Sequence, residues 1–293
     1  MYTISGYSTA LFSTWYFIEE LNLLFDAGEG ISSSLLQKSR KIKHAFISHA
    51  DRDHLAGLLQ FNQLNARPGY PVIYYPGDSG SFPAMEAFTK AFDPHVTATV
   101  WQPLTEESRI WIKDDVYVMP IRNGHVVKAG NAFKSLSYKV VQIKKKLKPE
   151  YLGLSQPEII RIVEEKGKEA TSYEVHTSLM GYSGDTPVED LTRWEDTPLL
   201  IHEATFLGGN DQTRIRMHGN KHSCLDEVIE MVSGLHVEQL VLGHFSSRYI
   251  AEEIDRMILD LCEKFALKTK VYRLLPGQII NDILRQLPVY PGI

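Results

Sequence analysis

The stretch Ser48-His49-Ala50-Asp51-Arg52-Asp53-His54-Leu55-Ala56-Gly57 decides how this chain folds. It places two imidazoles and two carboxylates within six positions, directly after the apolar run His44–Ile47. Carboxylates crowded in this way repel one another, and a divalent cation removes that repulsion. Mixed oxygen and nitrogen donors suit zinc, manganese or iron and not calcium. The pattern therefore predicts a strand that ends in a metal-binding loop; the alternative is a polar turn in which Asp53 caps the next helix.

Composition restricts the class of protein. The chain has 293 residues, of which 43% are hydrophobic and 23% charged, as in globular proteins with a large core. A formal net charge of −5 means that contact with a polyanion would need a local basic patch. The two cysteines, Cys224 and Cys262, favour a reducing compartment over a disulfide scaffold. No membrane-spanning run or signal peptide is evident, so we expect a soluble, cytoplasmic protein with no membrane partner.

Short apolar runs alternate with turns and helical periodicity along the chain. Strands are predicted at Leu21–Phe25, Val72–Tyr75, Val116–Met119, Leu136–Val140, Leu179–Ser183, Pro198–Ile201 and Leu240–Gly243. Helices are predicted at Ala56–Leu64, Pro157–Glu165, Leu225–Val232 and Ala251–Phe265. Without a linker or a repeat of fixed period, the economical interpretation is one α/β domain over residues 1–293, with two packed β layers flanked by helices.

Three downstream segments repeat the pattern of a strand followed by a potential ligand. His125, Asp185 and His244 each come after an apolar run. Taken singly, each has an ordinary explanation as a turn residue or a satisfied histidine. Together with the first stretch they supply ligands for two metals that share a bridging carboxylate, which is the arrangement of two-metal hydrolases.

Four motifs in order carry a family resemblance. His49–His54 resembles the His-x-His-x-Asp-His motif of the metallo-β-lactamase superfamily. His202-Glu203-Ala204-Thr205 is similar to the His-Glu-Ala-Thr motif of the tRNase Z family, the tRNA 3′-processing endonucleases. Lys221-His222-Ser223 is similar to that family's His-Ser-Thr motif, with Cys224 where threonine is usual. Gly243-His244-Phe245-Ser246-Ser247-Arg248-Tyr249 is similar to its terminal His-Phe-Ser-x-Arg-Tyr motif.

The resemblance implies a metallo-β-lactamase-like four-layer αββα sandwich with two divalent metal ions, zinc by preference. One ion would be held by His49, His125 and Asp185. The other would be held by Asp53, His54, Asp185 and His244, so that Asp185 bridges the pair. These assignments are implied by the family pattern.

The resemblance also implies a mechanism and catalytic residues. A hydroxide would attack the phosphodiester, with Asp53 orienting or deprotonating the water. Glu203 and His222 would pass a proton to the leaving 3′ oxygen. The alternatives are a structural salt bridge for Glu203 and an exposed histidine at the start of a helix for His222. His218 lies close enough in the sequence to be confused with His222.

Asp51 departs from the family, which has histidine at this position. A carboxylate can still bind a metal, but it adds negative charge and shifts preference toward manganese or iron. Asp51 is therefore a candidate ligand. The alternative is that it points away and that only one metal binds, as in a catalytically impaired RNA-binding relative.

A short basic arm is predicted at about residues 141–177, where the tRNase Z family inserts the segment that grips the tRNA. The stretch Tyr138–Leu154 resembles the short, plant-type members, and Leu154–Val175 offers one amphipathic helix. Candidate phosphate contacts in the arm are Lys144, Lys145, Lys146 and Lys148, although such a run is also common at a solvated strand end. Beside His244 the candidates are Ser246, Ser247, Arg248 and Tyr249.

The sequence thus predicts a metal-dependent endoribonuclease of the tRNase Z type that removes 3′ trailers from precursor tRNA. One alternative is a metal-dependent phosphodiesterase acting on a small or non-tRNA substrate. The other is the catalytically impaired relative. The resemblance further implies a homodimer.

Overall fold

The computed structural model describes residues 2–93, 98–126, 132–208 and 221–293. Its strands are β1 (Ile4–Thr9), β2 (Ser13–Ile18), β3 (Leu23–Phe25), β4 (His44–Phe46), β5 (Val72–Pro76), β6 (Val100–Leu104), β7 (Ile110–Lys113), β8 (Val116–Arg122), β9 (Leu136–Leu147), β10 (Ser172–Tyr182), β11 (Leu199–Glu203), β12 (Gln239–Gly243) and β13 (Lys270–Arg273).

Helices connect most of the parallel strands. The described helices are α1 (Ile31–Leu35), α2 (Arg52–Leu55), α3 (Leu58–Asn65), α4 (Ser81–Phe92), α5 (Gln156–Lys166), α6 (Lys168–Thr171), α7 (Leu225–Ser233) and α8 (Ala251–Lys264). Short 3₁₀ helices lie at Glu19–Leu21, Leu36–Lys41, Pro149–Tyr151 and Ile283–Arg285. Among the described residues, no helix has the length and apolar character needed to cross a bilayer.

The strands form two mixed sheets. The first has the order β1-β2-β3-β4-β5-β6 and the second the order β13-β12-β11-β10-β9-β8-β7. Strands β3 to β6 of the first sheet run parallel, as do β10 to β13 of the second. Since parallel strands end at the same edge, the loops after β3, β4, β10, β11 and β12 are brought close together.

Three apolar clusters define four layers. Aromatic rings fill the space between the sheets, where Phe25 stacks on Tyr182 with ring centroids 4.8 Å apart and Phe46 stacks on Tyr74 at 4.4 Å. Helices α1, α3 and α4 cover the outer face of the first sheet. Helices α7 and α8 cover the outer face of the second. The predicted αββα sandwich is confirmed.

Two strands are much longer than the apolar pattern predicts. The lysine run belongs to β9, which continues to Leu147, and β10 begins at Ser172. Lys144, Lys145 and Lys146 face Val175, Glu174 and Tyr173 in an antiparallel ladder. Backbone pairing, which does not depend on apolar side chains, extends the strands here, so that the helical segment predicted at Leu154–Val175 ends at Thr171.

Gly57 lies where the motif helix α2 meets the turn after β3. Its N–H donates to the Ala27 carbonyl oxygen at 2.8 Å, and a Cβ at this position would overlap the Gly28 carbonyl oxygen. Gly80 has almost the same backbone conformation (φ −67°, ψ −12°, against φ −73°, ψ −12° for Gly57), but a Cβ there would meet open space. The two glycines therefore differ in packing and not in backbone strain.

We predict that Gly57→Ala lowers the free energy of unfolding by about 1–3 kcal/mol, because the added methyl group forces backbone atoms apart. Gly80→Ala should leave it unchanged or raise it by about 0.4–1 kcal/mol, since alanine restricts the unfolded chain. Urea unfolding of both variants checks the pair. Equal free energies of unfolding for Gly57→Ala and Gly80→Ala would show that the contact between α2 and the turn after β3 is not tight.

Candidate metal centre

The loop after β4 carries the first group of candidate ligands. His49 and Asp51 precede α2, and Asp53 and His54 lie within it. The helix begins after Asp51, which makes no side-chain capping hydrogen bond. Asp53 instead accepts a hydrogen bond from the backbone N–H of Leu11 at 3.0 Å. The alternative in which Asp53 only caps the helix is therefore wrong.

Asp51 turns toward two histidines. Its Oδ2 lies 3.6 Å from Nε2 of His49 and 3.5 Å from Nε2 of His125, which follows β8. Its contacts with His125 and His49 lower the pKa of the Asp51 carboxyl, so that it is ionised. The carboxylate thus occupies the position expected of a ligand, and the alternative in which it points away does not match the structure.

A second group lies beside the first. Oδ2 of Asp53 is 3.5 Å from Nε2 of His54 and 3.3 Å from Nε2 of His244, which follows β12. The two imidazole Nε2 atoms are themselves 3.3 Å apart. The residues therefore meet across the two sheets, because β4 belongs to the first and β12 to the second.

Asp185 joins the two groups. Its Oδ2 lies 3.7 Å from Nε2 of His49 and 3.3 Å from Nε2 of His54, and its Oδ1 lies 3.4 Å from Nε2 of His244. Burial opposes ionisation of this carboxyl, but the surrounding His244 and His54 outweigh burial and hold its pKa well below the usual range. The structure thus brings together all seven side chains that the sequence predicted as ligands.

The candidate histidines are oriented through Nδ1. His49 donates from Nδ1 to the Ser48 hydroxyl at 2.9 Å, and His125 donates to the Lys221 carbonyl oxygen at 3.0 Å. His54 Nδ1 donates to an Asp26 carboxylate oxygen at 2.7 Å. His244 Nδ1 donates to the Thr205 hydroxyl at 2.8 Å. Each ring then presents the lone pair of Nε2 to the centre, which is the form that binds metals.

The donor set fits divalent cations. Nε2 of His49 is buried without a hydrogen-bond partner, and the lone pairs of His54 and His244 face each other at 3.3 Å. A proton or a cation must lie between such atoms. Ligands bonded at about 2.0–2.1 Å around a tetrahedral metal lie about 3.3–3.4 Å from one another, close to the separations found here.

Asp26 is a site residue for which no role was predicted. The fully buried carboxylate accepts hydrogen bonds from the Ser48 N–H at 2.6 Å, the Ser48 hydroxyl at 2.8 Å and His54 Nδ1 at 2.7 Å. The Tyr182 hydroxyl donates to the same carboxylate. Asp26 thus fixes the start of the motif loop and the ring of His54. The turn sequence Asp26-Ala27-Gly28 was its only signal.

Glu203, Thr205 and His222 form a polar group beside Asp185. His222 Nδ1 lies 3.1 Å from Oε1 of Glu203, and the Thr205 hydroxyl donates to Oε2 of Glu203 at 2.5 Å. Burial opposes protonation of His222, but the carboxylates of Glu203 and Asp185 outweigh it and raise the pKa of the ring to about 9. The predicted Glu203–His222 contact is present, whereas His218 lies outside the described residues. Thr205, which links this pair to His244, was not predicted.

The end motif surrounds an exposed guanidinium group. Arg248 lies over the rings of Phe206 and Tyr249, 5.2 and 5.4 Å from their centroids, and its Nε donates to the Ser246 hydroxyl at 3.1 Å. The Tyr249 hydroxyl accepts the Leu207 N–H at 3.4 Å. Ser247 is exposed. The four residues predicted to contact phosphate thus lie together, and Tyr249 also holds the backbone of Leu207.

The lysine arm is far from the candidate centre. Lys145 lies nine residues beyond Leu136, about 30 Å along the strand at 3.3 Å per residue. Lys145 pairs with Glu169 at 2.6 Å, and Lys148 donates to the carbonyl oxygens of Glu169 and Ala170. Residues 141–177 contain seven Lys and Arg against six Glu. The arm is therefore basic along one strand and nearly neutral as a whole.

We predict that Asp26→Asn lowers the free energy of unfolding by about 2–4 kcal/mol, since an amide sets N–H groups against buried donors. Asp115, whose exposed carboxylate contacts Gln142, provides the matched control. Asp115→Asn should change stability by less than about 0.5 kcal/mol. Both variants are compared with the wild type by urea unfolding. Equal midpoints for Asp26→Asn and Asp115→Asn would show that the four hydrogen bonds to Asp26 contribute nothing to stability.

Comparison with known proteins identifies relatives. No protein-family model matches the chain. tRNase Z TRZ2, chloroplastic, from Arabidopsis thaliana is 28% identical over 282 residues, 91% of this chain and 74% of that protein. Ribonuclease Z of Pyrococcus horikoshii is 29% identical over 260 residues, 82% of each.

Solved structures establish the fold. The metallo-β-lactamase fold protein YhfI from Bacillus subtilis superposes with a TM-score of 0.63 at 16% identity, over 96% of this chain and 99% of that one. Human tRNase Z, short form (ELAC1), gives a TM-score of 0.62 at 17% identity over the same shares. The chain therefore has the metallo-β-lactamase fold, and ribonuclease Z proteins are its homologues in sequence.

Proposed function

We propose that the protein is a metal-dependent endoribonuclease that removes 3′ trailers from precursor tRNA. The observation that carries the proposal is the buried Asp185 carboxylate, within 3.3–3.7 Å of histidines from both ligand groups. The relatives named ribonuclease Z and tRNase Z supply the substrate class.

Two divalent cations would be held by the two groups. His49, Asp51 and His125 would hold one, and Asp53, His54 and His244 the other, with Asp185 shared. Zinc is the preferred ion, and Asp51 favours manganese or iron at the first position because it adds a hard anionic oxygen. When bound, the ions supply Lewis acidity that makes water more acidic and neutralises charge on the phosphate.

The protein's own groups would move the protons. Asp53, whose carboxylate accepts the Leu11 N–H, would orient the attacking water and take its proton. His222, with a pKa raised to about 9, carries a proton at neutral pH and would give it to the leaving 3′ oxygen. Glu203 would stabilise the charged form of that ring.

Exposed cations would bind the rest of the substrate. Arg248, with Ser246, Ser247 and Tyr249 around it, would contact a phosphate near the cations. Lys144 and Lys146, exposed at the distal end of β9, would contact more distant phosphates. Lys145 and Lys148 would contribute less, because each already has a partner within the arm.

We further propose that residues 1–293 form one domain from which the arm at 141–177 projects, because side chains of both sheets share one core. A homodimer in the cytoplasm completes the proposal. The homodimer rests on the family resemblance and the compartment on the low number of cysteines.

A second candidate function is a phosphodiesterase on a small or non-tRNA substrate. The internal pairing of Lys145 and Lys148 favours it, since it leaves the arm fewer charges for RNA. The candidate of a catalytically impaired relative is less well supported, because the Asp51 carboxylate lies among the candidate ligand atoms.

We predict that the purified protein contains about two transition-metal ions per chain and releases the trailer from a precursor tRNA. Asp185→Ala should lower the metal content and reduce cleavage by about 10²–10³-fold or more. Asp260→Ala, which removes an exposed carboxylate from α8, is the control and should change neither quantity. Elemental analysis and a gel assay measure both. An intact precursor with cleavage of a chromogenic diester would favour the second candidate.

We predict that His222→Ala lowers kcat for precursor tRNA by about 10²–10⁴-fold, since the leaving oxygen is no longer protonated. A p-nitrophenyl diester, whose leaving group needs no proton, should be affected far less. His236→Ala is the control, because this exposed ring contacts Glu195 in a similar His–Glu pair at 2.7 Å. Equal losses on both substrates together with loss of metal would instead make His222 a ligand.

A further inference from the structure

The turn between β1 and β2 presents two large apolar side chains to solvent. Leu11 is 88% exposed and Phe12 is 60% exposed. They are neighbours in sequence, within the three residues that join the strands. Scattered apolar residues on a surface are ordinary, but a Leu-Phe pair at a turn is not, since turns favour Gly, Asn, Asp and Ser.

Leu11 also has an unfavourable backbone conformation. Its φ is +70°, in the left-handed region that glycine or asparagine adopts readily and a bulky side chain does not. An exposed leucine at this position gains nothing from burial that would offset the strain. Strain of this kind at an exposed residue points to a use for the side chain.

The turn is attached to the candidate metal centre. The Leu11 N–H donates to Oδ2 of Asp53 at 3.0 Å, and the Ala10 N–H donates to the Phe245 carbonyl oxygen at 3.2 Å. The same Asp53 oxygen is 3.3 Å from Nε2 of His244. The exposed side chains are therefore carried by the residues next to the carboxylate that would face the reacting phosphate.

We propose that Leu11 and Phe12 form an apolar platform for the base of a nucleotide next to the scissile phosphate. This inference rests on the proposed function. The occupant follows from position, because a phosphodiester bound at Asp53 carries a nucleoside on each side, and one of these must lie within reach of the turn. A base stacks on an aromatic ring irrespective of its identity, which suits trailers of different sequence.

Four variants test the platform. Phe12→Ala removes the ring, Phe12→Trp retains an aromatic surface, and Leu11→Gly removes both the side chain and the backbone strain. Leu36→Gly is the matched control, since Leu36 is 70% exposed and has a φ of +48°. Leu36 begins the 3₁₀ helix whose Lys38 pairs with Glu19, at the opposite end of the β1–β2 hairpin from the turn.

Steady-state cleavage of a precursor tRNA with a 3′ trailer is compared with that of methyl p-nitrophenyl phosphate, a diester without nucleosides. For Phe12→Ala we expect KM for the RNA to rise about fivefold or more at unchanged kcat and metal content, and Phe12→Trp to restore it. Leu11→Gly should weaken RNA binding in the same way while raising the midpoint of urea unfolding. Leu36→Gly should raise the midpoint only.

Distinct results separate the two proposals. If the wild-type protein does not cleave the RNA, the proposed function fails before the platform is tested, and binding of a non-hydrolysed trailer oligonucleotide to wild type and Phe12→Ala then decides the platform alone. Equal KM or Kd values for wild type and Phe12→Ala overturn the platform. So does dissociation of a dimer by Phe12→Ala in size-exclusion chromatography, because the turn would then be a subunit contact.

Discussion

The charge balance around Asp185 is the interaction on which the rest of the structure depends. This buried carboxylate contacts histidines from loops of both sheets, and it lies close to His222 as well. Removing such a group from water is unfavourable unless partners compensate for it. The two sheets therefore have to meet at this edge, with the loops after β4, β10 and β12 in contact, for the carboxylate to be stable.

The candidate ligands could be predicted from the sequence, but Asp26 and Thr205, which orient two of the histidines, could not. His49 to His54 are adjacent in the chain, so their spacing reveals a ligand loop. Asp26 and Thr205 act through contacts with residues 28 and 39 positions away, which no local pattern contains. The long β9–β10 ladder was missed for a related reason, since backbone hydrogen bonds extend it through charged residues that an apolar pattern excludes.

Asp51, which stands where the His-x-His-x-Asp-His motif has its second histidine, changes the charge of the candidate centre. Histidine and aspartate both offer one donor atom, but the carboxylate adds a negative charge to a centre that already holds Asp53 and Asp185. The two histidines beside it lower its pKa, which keeps that charge in place without a metal. On the proposed function, Asp51 would keep a donor atom in the first ligand group and favour cations that bind oxygen more readily.

Backbone strain accompanies the orientation of the candidate ligands. Leu11, Asp26 and His244 all have positive φ, of 70°, 55° and 61°. Each such residue costs about 1–2 kcal/mol, and local hydrogen bonds offset part of this, such as the bond from the His244 N–H to the Ser8 hydroxyl at 2.9 Å. A relaxed backbone at His244 would direct Nε2 elsewhere. The strain thus accompanies the orientation of the ring, and the packed sheets below supply the stability that permits it.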